Sequence, residues 1–281
     1  MRTLILGSKG QLGRELLRVF AVDGPAQGVD LPELDISNAV AVARLLDGAA
    51  PDLIINAAAY TNVEAAEEDR EAAFRANEDG ARHVAEAASI RKVPVVYYST
   101  DYVFGGSKTT PYEPQDAISP IGVYAKSKAA GEKATVGANP RHFIIRTAWL
   151  YGPGGNNFVE KILRAAGTRP ELRVVSDEVG SPTHTEDLAQ ATRALCKTVA
   201  FGVYHAVNEG SCSRFEFAQA ILSLAGVKTP VKPCMSSEFP TKAERPLYSV
   251  LSNAKLERVC GHRMRPWKAA LERYLQRREN S

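Results

Sequence analysis

A chain of 281 residues, 44% hydrophobic and 24% charged, is long enough to bury a sizeable core as one large domain or two unequal ones. Its formal charge of +3, with Lys and Arg dispersed among Asp and Glu, excludes the basic tracts of a nucleic-acid or membrane-surface binder. The four cysteines, Cys196, Cys212, Cys234 and Cys260, show no CxxC spacing, and the five histidines never pair at metal-ligand spacing, so neither a disulfide scaffold nor a zinc site is expected. The first apolar run stops at Gly7, too soon for a signal segment or a membrane span, and the expectation is a cytoplasmic chain with reduced thiols and no bound metal.

Along the chain, strand-like runs alternate with helical patterns. The runs are "TLILG" at 3–7, "DLIINAA" at 52–58, "VPVVYYST" at 93–100 and "HFIIRTAWLYG" at 142–152. Between them stand "QLGRELLRVFA", "AVAVARLLDGAA", "EAAFRANEDGARHVAEAASI" and "YAKSKAAGEKATV". Short β-branched runs separated by amphipathic helices predict an α/β fold, a Rossmann-type doubly wound parallel sheet buried on both faces. Beyond Tyr151 the rhythm changes to a glycine-rich loop "GPGGNNF", short strands, and the helices "EDLAQATRALCKT" and "SRFEFAQAILSLAG". The expected division is a dinucleotide-binding domain at 1–150 and a smaller mixed C-terminal substrate domain at 151–281. Whether the segment at about 174–200 returns to the first domain is open. The basic end "LERYLQRRENS" reads as a helix whose last-turn cations suit its dipole, followed by a frayed tail.

The first strand runs directly into "GSKGQLG", which sets Gly7, Gly10 and Gly13 at the start of a helix. A turn without Cβ atoms lets backbone approach a pyrophosphate, which then sits over free N–H groups. Asp30, in "GVD", falls where an acidic residue meets the adenosine ribose. That carboxylate favours NADH, Lys9 in the loop pulls toward the 2'-phosphate of NADPH, and together they predict use of both. The bland alternative is glycines that only pack a helix on a strand.

The strand "VVYYSTD" brings Ser99, Thr100 and Asp101 to the sheet's carboxyl edge, and Tyr124 precedes Lys128 by one helical turn in "GVYAKSK". Ser119–Pro120 is a plausible start for that helix. Reducing a ketone needs a hydride on carbon and a proton on oxygen, and a phenol holds its proton tightly at neutral pH. An ammonium at Lys128 would lower that pKa, and Thr100 would hold the carbonyl oxygen beside the Tyr124 hydroxyl. Lys126, two residues from Tyr124, points elsewhere and is expected to be solvated. Alone, a Tyr-x-x-x-Lys spacing is equally that of an exposed helix.

With these residues in place, the sequence resembles the extended short-chain dehydrogenase/reductases and, more narrowly, the dTDP-4-dehydrorhamnose reductases. The stretches that carry the resemblance include "INAAAYTNVEAAE", "YYSTDYVFGG", "SPIGVYAKSKAAGE", "IIRTAWLYGPGGNNFV", "VSDEVGSPTHTEDLA" and "ERPLYSVLSN", spread over nearly the whole chain. It implies NAD(P)H-dependent reduction of dTDP-4-dehydro-beta-L-rhamnose to dTDP-L-rhamnose, with Thr100, Tyr124 and Lys128 as the catalytic triad. The implied cofactor contacts are Gly10, Gln11, Leu12, Asp30, Asp35, Ile36, Ala59, Tyr60, Thr61 and Tyr98, together with Tyr124 and Lys128. The implied partner is a dTDP-4-keto-6-deoxy sugar, met by Thr100, Asp101 and Trp149, with Asn157 and Arg245 added.

Plainer readings stand beside these: Trp149 as a core residue, Arg245 as a surface ion-pair member, Asn77 as a backbone tie rather than a site residue. Some members of the family form a homodimer bridged by magnesium through glutamates. Glu15 and Glu186 match two of these, but Lys268 after Trp267 would repel a metal, so the oligomeric state is open between monomer and homodimer. Two other functions stay open: action on a different nucleotide 4-keto-6-deoxy sugar, and a non-catalytic subunit resembling the regulatory beta subunit of methionine adenosyltransferase.

Overall fold

The computed structural model describes residues 1–239 and 241–279. The tail expected to fray, Asn280 and Ser281, lies outside them, as does Pro240 in the late proline-containing stretch.

Four strands carry the apolar runs: β1 (Thr3–Leu6), β3 (Leu53–Asn56), β4 (Val95–Thr100) and β5 (His142–Thr147), with β2 (Ala26–Val29) at one edge. β10 (Gly202–His205) closes the other edge, giving a six-stranded sheet in the order β10-β5-β4-β3-β1-β2 with every neighbouring pair parallel. Alternation within the strands decides which helices cover which face. Ile5, Ile55, Val96 and Ile145 pack against α1 (Gln11–Phe20) and α8 (Thr185–Cys196), through Leu12, Leu16, Leu188 and Leu195. Leu4, Leu6, Ile54 and Val95 point the other way, against α2 (Ala39–Ala49) and α5 (Gly80–Ile90), through Val42, Leu46 and Val84. Burying each such side chain contributes about 2 kcal/mol, so both faces must be covered.

Three sequence expectations shift. β2 reads "AQGV", with its two middle residues exposed, and an edge strand of that composition has no apolar run to announce it. The expected strand 142–152 is broken: β5 ends at Thr147, Trp149 turns with φ +46°, and β6 (Leu150–Tyr151) pairs instead with β9 (Thr183–His184). Of the segment 174–200, only α8 packs on the main sheet, and β10, just beyond it, joins the sheet's edge, because the strands before α8 find their partners elsewhere. There β7 (Leu172–Val175) pairs with β12 (Val231–Cys234), and β8 (Val179–Gly180) with β11 (Cys212–Ser213). Between these short pairs, α7 (Phe158–Ala166), α9 (Arg214–Leu224) and α11 (Trp267–Glu279) enclose a second core around Tyr151, Val159, Phe217, Ile221 and Leu271.

Candidate active site

β1 leads outward to β2 while β3 lies on the opposite side, so the chain parts above the carboxyl ends of β1 and β3, where ligands collect in such sheets. A cleft of about 730 Å³ opens there. The glycine turn forms its floor for three separate reasons. Gly7 has φ +77°, and a Cβ on it would lie 2.5 Å from the Ala58 nitrogen. A Cβ on Gly13 would overlap the Gly7 carbonyl, so α1 can approach the sheet only with glycine there. Gly10 meets only the Gly7 oxygen, at 3.4 Å, and caps α1 with no side chain, leaving the first helical N–H groups for an anion. This backbone cradle fits a dinucleotide pyrophosphate.

Every expected cofactor residue borders this cleft: Gly7, Gly10, Gln11, Leu12 and Gly13 at the turn, Asp30, Asp35 and Ile36 after β2, Ala59, Tyr60 and Thr61 after β3, and Tyr98, Tyr124 and Lys128. Asp30 accepts hydrogen bonds from the backbone N–H of Lys9 (2.7 Å) and of Leu31 (2.8 Å), which fixes its carboxylate at the lip. The Lys9 ammonium, expected to draw a 2'-phosphate, pairs with Glu33 at 3.0 Å and the Leu31 carbonyl at 2.8 Å. Asp35 sits below the usual carboxylate range because the Ser37 backbone N–H and hydroxyl both donate to it. Tyr60 is held at both backbone groups by Asn77, whose amide also donates to Ser127 Oγ at 2.9 Å. Asn77 lies in a π turn (Arg75–Asp79) between α4 (Arg70–Phe74) and α5, and is a buried backbone tie.

The helix carrying Tyr124 and Lys128 is α6 (Val123–Ala138). It starts at a Gly122 cap rather than at Ser119–Pro120, and its first N–H donates to Glu67 Oε1 at 2.8 Å. Thr100 ends β4; its hydroxyl donates to Asp101 Oδ1 at 3.1 Å and accepts the Tyr102 N–H at 3.2 Å, and it borders the same cleft as Tyr124. Lys128 is 3% exposed with its ammonium 4.1 Å over the Tyr97 ring, one turn from Tyr124, while Lys126 is exposed.

The electrostatics correct one expectation. Burial, and then the Asp101 carboxylate, push the Tyr124 phenol above its ordinary value, with the Thr100 side chain opposing. Burial also pulls the Lys128 ammonium down to about 7, with Glu132 opposing. Loss of water outweighs the attraction expected between the two side chains, and the phenol keeps its proton through neutral pH.

The far end of the cleft is built from side chains. Asp101 is 2% exposed, accepts from the Ser249 hydroxyl at 2.5 Å, and is pushed by burial up to about 6, against Ser249, Arg214 and Thr100. Trp149 lines the cleft in a left-handed backbone conformation, which costs a non-glycine residue about 1–2 kcal/mol. Asn157 caps α7 and donates to Gln11 Oε1 at 3.2 Å, drawing the glycine-rich loop onto the first turn of α1. Thr100, Asp101, Trp149 and Asn157 are thus brought together. Arg245 stands apart from the cleft lining, in an ion pair with Glu64.

Sequence reading missed Glu67, Tyr102 and Arg214. None lies in a motif whose spacing reports chemistry; each acts on a partner distant in the chain. Of the two glutamates matched to a metal bridge, Glu186 is engaged by Arg18 (3.0 Å), Arg273 (3.0 Å) and Arg277 (2.7 Å), and Glu15 by Arg18 (2.8 Å). Hydrogen bonds and charge from these arginines hold the Glu186 carboxyl at about 2 despite its burial. Among the described residues no group of three or more His, Cys, Asp or Glu is arranged to hold a metal.

Residues 1–280 match the protein family described as RmlD substrate binding domain. The spore coat polysaccharide biosynthesis protein SpsK of Bacillus subtilis (strain 168) is 40% identical over 281 residues, covering 100% of this chain and 99% of that protein. The dTDP-4-dehydrorhamnose reductase of Sinorhizobium fredii is 38% identical over 284 residues, covering 97% of this chain and 96% of that protein. The crystal structure of dTDP-4-dehydrorhamnose reductase from Bacillus anthracis in complex with NADP is similar with a TM-score of 0.94, at 39% identity, over 98% of this chain and 99% of that one.

Proposed function

The chain belongs to the RmlD substrate binding domain family, and from that premise we infer that it is a dTDP-4-dehydrorhamnose reductase, which reduces the C4 keto group of dTDP-4-dehydro-beta-L-rhamnose with NADPH to give dTDP-L-rhamnose. NADH is proposed as a second donor, through Asp30. The observation that carries the chemistry is that Thr100, Tyr124 and Lys128 border one cleft, floored by the glycine turn.

A bound NADPH supplies the hydride that forms the new C–H bond at C4. Tyr124, protonated at neutral pH, donates its proton to the carbonyl oxygen as that bond forms, and the phenolate left behind regains a proton from solvent. Thr100 orients the same oxygen through its hydroxyl. Lys128, one turn below, would hold the nicotinamide ribose of a bound cofactor and favour the phenolate when its ammonium is charged. Asp101, Trp149 and Asn157 border the sugar. Arg245 is proposed to exchange Glu64 for the substrate diphosphate, a bidentate match for a guanidinium.

Residues 1–150, with α8 and β10, are proposed to hold the cofactor, and the remainder of 151–281 the sugar nucleotide. No helix among the described residues is long and apolar enough to cross a membrane; the proposed setting is the cytoplasm. The test is NADPH consumption with dTDP-4-dehydrorhamnose and with other dTDP-4-keto-6-deoxy sugars, the product identified by NMR. Turnover selective for the first supports the reading. Cofactor binding without turnover on any of them would leave a binding subunit; turnover selective for another sugar would leave a different reductase.

A further inference from the structure

Arg214 opens α9, where the helix dipole disfavours a cation, yet its side chain is only 15% exposed. A charge in a locally unfavourable, largely buried position needs another reason to be there. Its contacts supply one. The guanidinium carbon stands 3.5 Å from the centroid of the Trp149 ring and 5.4 Å from that of Phe158. Nε meets Glu178 at 3.5 Å, and Nη2 donates to the Tyr102 hydroxyl at 3.3 Å. Tyr102 in turn packs edge-on against Tyr124, with ring centroids 6.3 Å apart and planes at 85°. The guanidinium charge also draws down the Asp101 carboxyl and the Tyr102 phenol against their burial.

Trp149 requires such a clamp. Its backbone is in the left-handed region, and its indole has a glycine at its edge: a Cβ on Gly180 would lie 2.5 Å from Cε2. Backbone alone does not choose one ring orientation for a strained tryptophan; a planar cation laid on the ring does. The indole is half-buried and borders the cleft beside Thr100 and Asp101.

We infer that Arg214 is a positioning residue for the reduction: it fixes the Trp149 indole as the wall that meets the sugar ring, and steadies the Tyr102 ring packed against the proton donor. The inference rests on the reading that Trp149 faces the sugar. It assigns to the sugar end of the cleft a specificity element held by stacking rather than by direct hydrogen bonds to substrate.

The test compares wild type, Arg214→Met, Arg214→Lys, Trp149→Phe and the Arg214→Met/Trp149→Phe double variant in the full chain. NADPH affinity, KM and kcat for dTDP-4-dehydrorhamnose, and indole emission in a Trp267→Phe background are measured. Arg214→Met is expected to raise the sugar KM by about tenfold with NADPH affinity unchanged, and to shift Trp149 emission. Arg214→Lys, which keeps the charge but not the plane, recovers only part of this. In the double variant the arginine change adds little to Trp149→Phe alone, since the two act as one unit. Unchanged KM and emission in Arg214→Met, or a full additional loss in the double variant, would overturn the inference. If Arg214→Met does not fold, Arg214→Lys is read against the same two quantities, and wild-type values for both overturn it. Should Trp149→Phe leave the sugar KM unchanged while emission still responds to Arg214, the clamp survives and the sugar-facing reading of Trp149 falls.

Discussion

The two ends of the cleft are made of different material. The end proposed for the cofactor is backbone: Gly7, Gly10 and Gly13 shape a turn that leaves the first N–H groups of α1 uncapped, and Asp30 is fixed by two backbone donors. The end proposed for the sugar is side chain on side chain: Arg214 over Trp149 and Ser249 on Asp101. A backbone site depends on residue type at fixed spacing, whereas a side-chain site depends on which distant residues the fold brings together. Substitutions at the two ends should therefore separate cleanly in what they damage.

The largest separation is expected between two glycines. Gly13→Val drives a side chain into the Gly7 carbonyl, and overpacking of that kind costs about 1–3 kcal/mol. Denaturant unfolding should show that loss, and NADPH titration a loss of affinity of about a hundredfold. Gly180→Ala pushes against the Trp149 indole instead; it should leave NADPH binding intact and raise the sugar KM by about tenfold. If Gly180→Ala weakened NADPH as much as sugar, the two ends would not be independent.

Lys128 lies where the ends meet, and its effect is read through pH. Burial lowers its folded-state pKa to about 7, while the unfolded lysine keeps its ordinary value near 10.5. Between these values the unfolded chain binds more protons, so this group makes stability rise with pH across that window. Lys128→Met should remove that rise, with its gain in stability over wild type greatest below about pH 7, followed by thermal unfolding at a series of pH values. An unchanged slope would mean that the ammonium is solvated.

A smaller effect is expected at the cofactor lip. Asp30→Ala removes a carboxylate that suits a ribose hydroxyl and repels a 2'-phosphate, and should move the NADPH to NADH ratio of kcat/KM upward by about tenfold. The sugar KM should stay where it was. A ratio that does not move would remove Asp30 from cofactor selection.

Legibility in the sequence followed the same line. β1, β3, β4 and β5 are short β-branched runs in a sheet covered on both faces, and burial from both sides leaves that signature. The glycine turn, Thr100, Tyr124 and Lys128 were readable because their spacing is fixed by one strand end or one helical turn. β2 was invisible because an edge strand of Ala, Gln, Gly and Val has half its residues in water. The turn at Trp149 interrupts "TAWLYG", a run of strand propensity; the φ of +46° and the indole's partners, Gly180 and Arg214, are not encoded in local sequence. The spacing of Tyr124 and Lys128 predicts a shared face, and both border the cleft, but the depth of Lys128 over Tyr97, and so the direction of its pKa, needs the fold.

If Tyr124 delivers the proton, its removal should slow the chemistry and leave the proposed cofactor end of the cleft intact. The most direct measurement is single-turnover oxidation of NADPH by dTDP-4-dehydrorhamnose in Tyr124→Phe. The rate is expected to fall by about a hundredfold or more, with NADPH affinity within about twofold of wild type. A wild-type rate in that variant would contradict it.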